Sequence, residues 1–433
     1  MSLKMIPASF ASRDTQAGVP RQRSPVAVLL SRFPTVTETF ILREIIELER
    51  QAQPVCLVPM LREYPKVIHE DAKPWEERAL YTTFLSRRIV MANLEMLWRH
   101  PLKLLILFLR LMAGTLRSPS VLLRTIALLP KSIFLAKQLQ EKGIRHVHAH
   151  YATHPTTMAL IVAELSEATF SFTVHAHDIF VDRSLLRWKL REAQFIRSIS
   201  RFNRCFLERL YPNETSDKVK VIHVGIEPKI YEELRSRIAC AQEPPKVLCV
   251  AAHRPYKGLT VLIEACRILR DEGIRPHCDI VGSGPMTAEL GAQINKAGVG
   301  DVLHLVGQHP QDIIARMMGE AALFVLPSII AEDGQMEGIP VALMEALASG
   351  CPVVSTCISG IPELVEDGIN GLLVPPGDPG ALAKAIRRLL ESPKLRTAMG
   401  QRGQQKIRAE FTLRACVRDL ADLLDCERTG GKM

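Results

Sequence analysis

Two glutamates, Glu337 and Glu345, bracket a Gly338-Ile339-Pro340 turn and the start of an apolar run, Val341-Ala-Leu-Met-Glu-Ala-Leu-Ala-Ser349. Such a turn opens a helix. The N–H groups of its first turn have no intrahelical partner, and with the helix dipole they make a site for phosphate. Glu337 lies just ahead of that N-terminus, where its carboxylate can accept hydrogen bonds from sugar hydroxyls. Glu345 follows about two turns further on, near the same face, and can accept from a second set of hydroxyls such as a ribose. Taken singly, Glu337 is an acidic helix cap and Glu345 a solvated side chain. As a pair around Gly-Ile-Pro they read as a ligand site.

Other groups could share that chemistry. Lys257 stands in Arg254-Pro-Tyr-Lys-Gly258. It is either a surface lysine before a turn glycine or a compact point charge for a phosphate. His175 follows the apolar Phe172-Thr-Val174, at the carboxyl edge where α/β sites form. His177 and Asp178 are adjacent, and His146, His148 and His150 alternate along a strand and so share one face. Both sets admit a metal reading, ranked below the phosphate-and-sugar one. Gly282-Ser-Gly284 follows a strand but has Thr287 where a dinucleotide fingerprint needs its third glycine. That disfavours a nicotinamide-dependent dehydrogenase.

These residues need rigid strands behind them. Val26–Leu30, Val55–Val58, His146–His150, Phe170–Val174, Arg197–Ser200 and Val219–Val224 read as buried strands, with an amphipathic helix from Phe40 to Arg50. A second strand–helix series runs from Lys246 to about Leu390. The fold class is α/β, with two Rossmann-like domains whose parallel sheets face each other across a cleft. The expected divisions are a disordered tail (1–24), an N-terminal domain (25–227) and a linker (228–245). A C-terminal domain (246–411) and a final helix and tail (412–433) follow, the helix packing back on the first domain.

The bulk numbers fit. At 433 residues and 47% hydrophobic, the chain can bury two cores, and 5% aromatics leaves the packing to aliphatic side chains. The net charge of +9 is uneven. Residues 1–220 hold 32 Lys+Arg against 20 Asp+Glu, and the remainder 23 against 26. The basic half suits an anionic membrane surface or a phosphorylated acceptor. Nucleic acid is not expected, since no zinc-finger spacing, RNP-like motif or Arg-rich tail occurs. Residues 88–145 carry ten Lys+Arg, two acidic residues and many leucines. They fit core helices with solvated faces and equally a surface lying on anionic lipid. The ten scattered cysteines form no C-x-x-C pair and read as free thiols of a reducing cytosol. Residues 1–24 show no signal-peptide pattern, and the apolar stretch 102–116 is too short to span a bilayer.

The two glutamates form the E-x7-E pattern, and the chain resembles the family 4 retaining glycosyltransferases of the GT-B fold. The stretches Pro327–Glu337, Ser359–Asp367, Phe33–Ile41 and Ser171–Phe180 are similar to the colanic-acid and exopolysaccharide branch, and the likeness runs from about residue 26 to about residue 390. The resemblance implies a hexosyltransferase with a nucleotide-sugar donor and no metal or other cofactor. It implies that His175, Glu337 and Lys257 are catalytic, with Glu337 on the donor sugar, Glu345 on the ribose and Lys257 on the pyrophosphate. Gly258, Gly307, Gly338, Ile339, Pro340 and Val341 would line the donor. Relatives often place an arginine where this chain has Ala252, so Arg254 is the candidate for the second charge. Thr37 and Glu38 replace the usual glycine-rich loop on the acceptor side. The expected acceptor is a saccharide or polyprenyl-pyrophosphate-linked oligosaccharide in exopolysaccharide biosynthesis. The expected location is cytoplasmic, peripheral on the inner face of the membrane. A nucleotide-sugar epimerase and a non-catalytic membrane-docked scaffold are the alternatives.

Overall fold

The computed structural model describes residues 23–35, 39–64, 70–84, 86–116, 118–236 and 245–426. The expected tail before residue 23 and the acceptor-side candidates Thr37 and Glu38 lie outside the described residues.

The first half holds strands β1 (Val26–Phe33), β2 (Val55–Arg62), β3 (His146–His150), β4 (Thr169–Val174), β5 (Ile196–Ser198) and β6 (Val219–Val221). Its helices are α1 (Thr39–Arg50), α2 (Lys73–Arg78), α3 (Arg87–Arg99), α4 (Pro101–Thr115) and α5 (Pro119–Glu141), then α6 (His154–Leu165), α7 (His177–Phe180), α8 (Leu186–Glu192), α9 (Arg201–Leu210) and α10 (Pro212–Thr215). The second half holds α11 (Pro228–Ser236), β7 (Lys246–Val250), α12 (Leu259–Asp271), β8 (His277–Val281), α13 (Thr287–Ala297), β9 (Leu303–Gly307), α14 (Gln311–Glu320) and β10 (Leu323–Leu326). It continues with α15 (Val341–Ala348), β11 (Val353–Thr356), α16 (Ile361–Leu364), β12 (Gly371–Val374), α17 (Pro379–Glu391), α18 (Pro393–Glu410) and α19 (Leu413–Cys426).

The strands form two six-stranded parallel sheets, ordered β2-β1-β3-β4-β5-β6 and β12-β11-β10-β7-β8-β9. Helices cover both faces, which is why Val26–Leu30 and Leu323–Leu326 are apolar throughout and fully buried. In each sheet the order reverses beside the first strand, between β1 and β3 and between β7 and β10. Loops leaving the carboxyl ends diverge at such points and open a crevice. His175 follows β4, Lys257 follows β7 and Glu337 follows β10, so the candidate residues gather at these edges.

The chain crosses between the halves at Ile226 and returns beside that point. The Ile226 N–H donates to the Phe411 carbonyl at 2.9 Å, and the Leu413 N–H donates to the Ile226 carbonyl at 2.7 Å. Helix α19 then joins the first core, where Leu413, Val417 and Leu420 pack with Val26, Ile41 and Ile45. Helix α11, which falls in the expected linker, packs on α14 and α15 and buries Tyr231 completely in the second core.

Residues 88–145 fold as α3, α4 and α5 and serve both readings. Leu107, Leu111, Leu128, Ile133, Leu135 and Leu139 are core. Yet thirteen of the twenty-two exposed large hydrophobic side chains among the described residues lie between Val90 and Ile126. Trp98 is 83% exposed and Leu102 72%. The one helix among the described residues long and apolar enough to cross a membrane is α5, and its flank packs on α6 and α3.

Between β3 and β4 lies a ladder of buried imidazoles and hydroxyls. His146 bonds Thr169 and Ser171 at 2.8 and 2.7 Å, and His148 bonds Ser171 and Thr173 at 2.8 Å each. Burial, then neighbouring imidazoles and Arg197, hold His148 well below the usual histidine range. Burial pulls His150 to about 4, against the opposing pull of Glu44. His175 is also held well below, first by burial. Below pH 6.5 the unfolded chain takes up protons that the fold refuses, so stability is present above that pH and lost on acidification toward 4. Each imidazole contributes about 1.4 kcal/mol per pH unit in that window. The urea midpoint is expected to fall between pH 7 and 5, less steeply in His148→Gln. A flat midpoint in both proteins would refute this.

Candidate functional site

Lys257 sits in the turn Pro255–Lys257 after β7. Gly258 follows with φ +66°, and a Cβ there would lie 1.9 Å from the Pro327 carbonyl oxygen. Glycine therefore lets the β7 turn press onto the β10 loop that carries Glu337. The Lys257 ammonium pairs with Glu337 Oε1, both side chains largely buried at 15% and 10% exposure. Burial disfavours the ammonium, but the Glu337 charge, Tyr256 and the Glu337 hydrogen bond outweigh it and raise its pKa. Arg254 is exposed at the rim of the same loop.

Glu345 faces elsewhere. It points from α15 into the second core, 7% exposed, and accepts hydrogen bonds from Tyr231 Oη at 2.6 Å and Gln311 Nε2 at 2.8 Å. Burial raises its pKa, opposed by the Tyr231 hydrogen bond, the Arg43 charge from α1 and Gln311. The expectation of a shared face for the glutamates is therefore refined. Glu337 precedes the helix and meets Lys257, whereas Glu345, within it, meets α11 and α14. No side chain caps the N-terminus of α15, where Ile339 and Pro340 are buried and Val341 half-buried. That leaves N–H groups of its first turn without a side-chain cap. Gly307 ends β9 at φ +77° with nothing within 4 Å of a built Cβ, and its carbonyl accepts the Gly282 N–H at 2.8 Å.

Sequence reasoning missed Tyr231, Gln311 and Arg43, because Tyr231 stands 114 positions from Glu345 and no local pattern joins them. It also missed His253. The ring of His253 bonds Thr287 through Nδ1 at 2.8 Å, while Nε2 is buried without a partner among the described residues.

His175 closes the first domain's side of the crevice. Its carbonyl accepts from Asn203 Nδ2 at 2.7 Å, and the Asp178 carboxylate accepts the N–H groups of Ala152, His175 and Ala176 at 2.8, 3.1 and 2.7 Å. Tyr151, at φ +71°, lays its ring 4.3 Å from the His175 ring centre. Gly338 meets this edge directly, and a Cβ built on it would lie 2.7 Å from the His175 carbonyl oxygen. Nearby, Glu363 accepts the N–H groups of Arg201 and Phe202 at 2.9 Å each and bonds His223 Nε2 at 3.1 Å, tying the second domain to the start of α9. Gly338→Ala is therefore expected to hold the crevice apart. The predicted result is at least tenfold weaker donor affinity by calorimetry with little change in melting temperature. Unchanged affinity would mean that the edge is soft.

Several of the groups read as candidate metal ligands are engaged within the protein. His146 and His148 spend their ring nitrogens on hydroxyls, and Asp178 spends its oxygens on backbone N–H groups. His177 is exposed. Among the described residues, only His277, Asp279 and His304 have donor atoms gathered as a metal would need, on β8 and β9 away from the Lys257–Glu337 pair.

Residues 231–406 match the family of glycosyl transferases group 1. That stretch is a group 1 glycosyl transferase domain. It contains Lys257, Glu337 and Glu345. The chain is 43% identical over 210 residues to the amylovoran biosynthesis glycosyltransferase AmsK of Erwinia amylovora, covering 48% of this chain and 51% of that one. It is 38% identical over 210 residues, with the same coverage, to the putative colanic acid biosynthesis glycosyltransferase WcaL of Escherichia coli. The chain thus spans about half the length of these curated relatives. A glycosyltransferase from Rickettsia africae superposes with a TM-score of 0.71 at 15% identity, covering 95% of this chain and all of that one. Anabaena Alr3699/HepE in complex with UDP gives 0.65 at 18% identity, covering 92% and 99%. With its paired parallel sheets, the fold is GT-B.

Proposed function

We propose that this protein is a retaining glycosyltransferase of exopolysaccharide biosynthesis that uses a nucleotide-sugar donor. The observation that carries the reading is the buried Lys257–Glu337 pair, set at the switch point of the second sheet and facing His175 across Gly338. Lys257 and the N-terminus of α15 receive the donor diphosphate, and the ammonium offsets the charge that builds there as the glycosidic bond breaks. Glu337 holds the sugar, and Glu345 exchanges Tyr231 and Gln311 for ribose hydroxyls. Arg254 supplies a second charge from the rim, and Gly307 lets the base approach the end of β9. The acceptor oxygen attacks the anomeric carbon on the face the diphosphate leaves, and a diphosphate oxygen takes the acceptor proton. Glu337 is engaged by Lys257, which argues against its use as a nucleophile. The chemistry asks for no metal.

Thermal stabilisation by UDP-, GDP-, ADP- and dTDP-sugars tests this. A ligand at a hundredfold excess over its Kd stabilises by about 2.7 kcal/mol. A shift with one nucleotide class, weakened in Glu345→Ala, supports the donor site and identifies the base. No shift with any of them would favour a non-catalytic scaffold.

The same proposal places the acceptor, a saccharide carried on polyprenyl pyrophosphate, at the inner face of the cytoplasmic membrane. The apolar surface of α3, α4 and α5 supports it, with Arg88, Arg99, Lys103, Arg110 and Arg124 distributed along these helices. Trp98→Ser with Leu102→Ser is expected to weaken cosedimentation with anionic vesicles more than tenfold, since each side chain forfeits roughly 1.5–3 kcal/mol of burial. Wild-type protein that ignores such vesicles at low salt would exclude the membrane reading.

A further inference from the structure

We infer that Glu44 and His150 are positioning residues that fix which tautomer His175 presents to the crevice. The inference rests on the proposed role of His175 and deepens it.

Four side chains from four elements make a buried chain: Glu44 of α1, His150 of β3, His175 after β4 and Arg197 of β5. They are 3%, 1%, 6% and 0% exposed. Arg197 is held first. Its Nε and Nη2 donate to the carbonyls of Ile222 and His223 at 3.1 and 2.9 Å, and its Nη1 donates to Glu44 Oε2 at 2.6 Å. The other carboxylate oxygen, Glu44 Oε1, lies 3.5 Å from His150 Nε2 and has no hydrogen-bond partner among the described residues. On its far side the His150 ring places Nδ1 at 3.3 Å from His175 Nε2.

Proton positions follow from donor and acceptor rules. Arg197 can only donate, so the carboxylate is held as an acceptor. A buried acceptor left without a proton is costly, so His150 carries its proton on Nε2, facing Glu44. Burial keeps His150 neutral, so Nδ1 is a lone pair. His175 must then donate from Nε2, which leaves its Nδ1 bare as an acceptor for a donor-sugar hydroxyl. The opposite arrangement would set two lone pairs against each other at His150 and Glu44.

Glu44→Gln inverts the chain without changing its shape. The amide oxygen turns to Arg197, the amide NH2 faces His150 Nε2, and the protons of both rings move to Nδ1. His175 then offers a donor in place of an acceptor. Nitrogen-15 spectra of histidine-labelled protein, with His175 assigned through His175→Gln, read this directly. The expected result is a protonated Nε2 in the native protein and a protonated Nδ1 in Glu44→Gln. Turnover of UDP-glucose should fall about 100-fold, the scale of one preorganised hydrogen bond at a reacting centre. Stabilisation by UDP alone should be unchanged. Should Glu44→Gln fail to fold, His150→Asn places an amide oxygen where Nδ1 stood and is expected to keep the native His175 tautomer, whereas His150→Leu is not. A native His175 protonated on Nδ1, or a tautomer indifferent to these substitutions, overturns the inference. A native protein that does not turn over UDP-glucose counts against that donor or the proposed function, while the ring spectra still decide the positioning chain.

Discussion

Replacing Lys257 with methionine is expected to lower turnover by about 10³-fold or more, because its ammonium is buried beside the candidate sugar-binding carboxylate. Stability should suffer as well. The change leaves Glu337, 8% exposed, without its partner, and breaking one side of a buried ion pair costs roughly 3–5 kcal/mol. The two effects separate in the double variant Lys257→Met with Glu337→Gln. Removing both charges should restore most of the lost stability, since a buried pair and its neutral replacement are often nearly equal. It should restore little of the turnover, because the buried ammonium that offsets the diphosphate charge is still missing. Thermal melting and donor consumption on the same preparations check both limbs. A double variant that regained activity along with stability would reassign Lys257 to the fold alone.

The sequence was most legible where function and local geometry coincide. Gly258 and Gly338 each stand where a Cβ would strike a carbonyl oxygen of another segment, so the residues beside them could be picked out in one dimension. The strands showed as apolar runs because parallel sheets bury both faces. β12 escaped notice: Gly371–Val374 is short, and a glycine opens it. Helices α3 to α5 were visible as basic, leucine-rich sequence, but composition alone could not divide Leu107 and Leu111, which are core, from Leu102 and Leu105, which are not. What lay beyond sequence reading was the far side of each contact. Tyr231 and Gln311 on Glu345, Glu363 on the start of α9, and Glu44 on Arg197 join residues up to 162 positions apart. Such pairs follow from topology, and a single sequence records the residue without its partner. Arg197 illustrates the point. It opens an expected buried strand, Arg197-Ser-Ile-Ser200, where a charge would ordinarily argue against burial.

The burial of Arg197 leads to a comparably large stability effect. Arg197→Met removes three hydrogen bonds from a fully buried position. It leaves the Glu44 carboxylate and the carbonyls of Ile222 and His223 to find other partners. Unfolding should become easier by about 4 kcal/mol, and melting of the first domain should drop by roughly 10 °C. Lysine is a poor substitute, because an ammonium presents no planar fork to reach a carboxylate and two carbonyls in fixed directions. Arg197→Met with Glu44→Met should recover more than half of the loss, since the uncompensated carboxylate is the larger part of it. The double variant nevertheless lacks the group that orients His150. Stability regained without turnover is therefore the expected pattern, and thermal denaturation beside a turnover assay would show it. If Arg197→Met melted with the native protein, the Glu44 carboxylate must reach water or a proton instead, and the order of protons through His150 to His175 would lose its anchor.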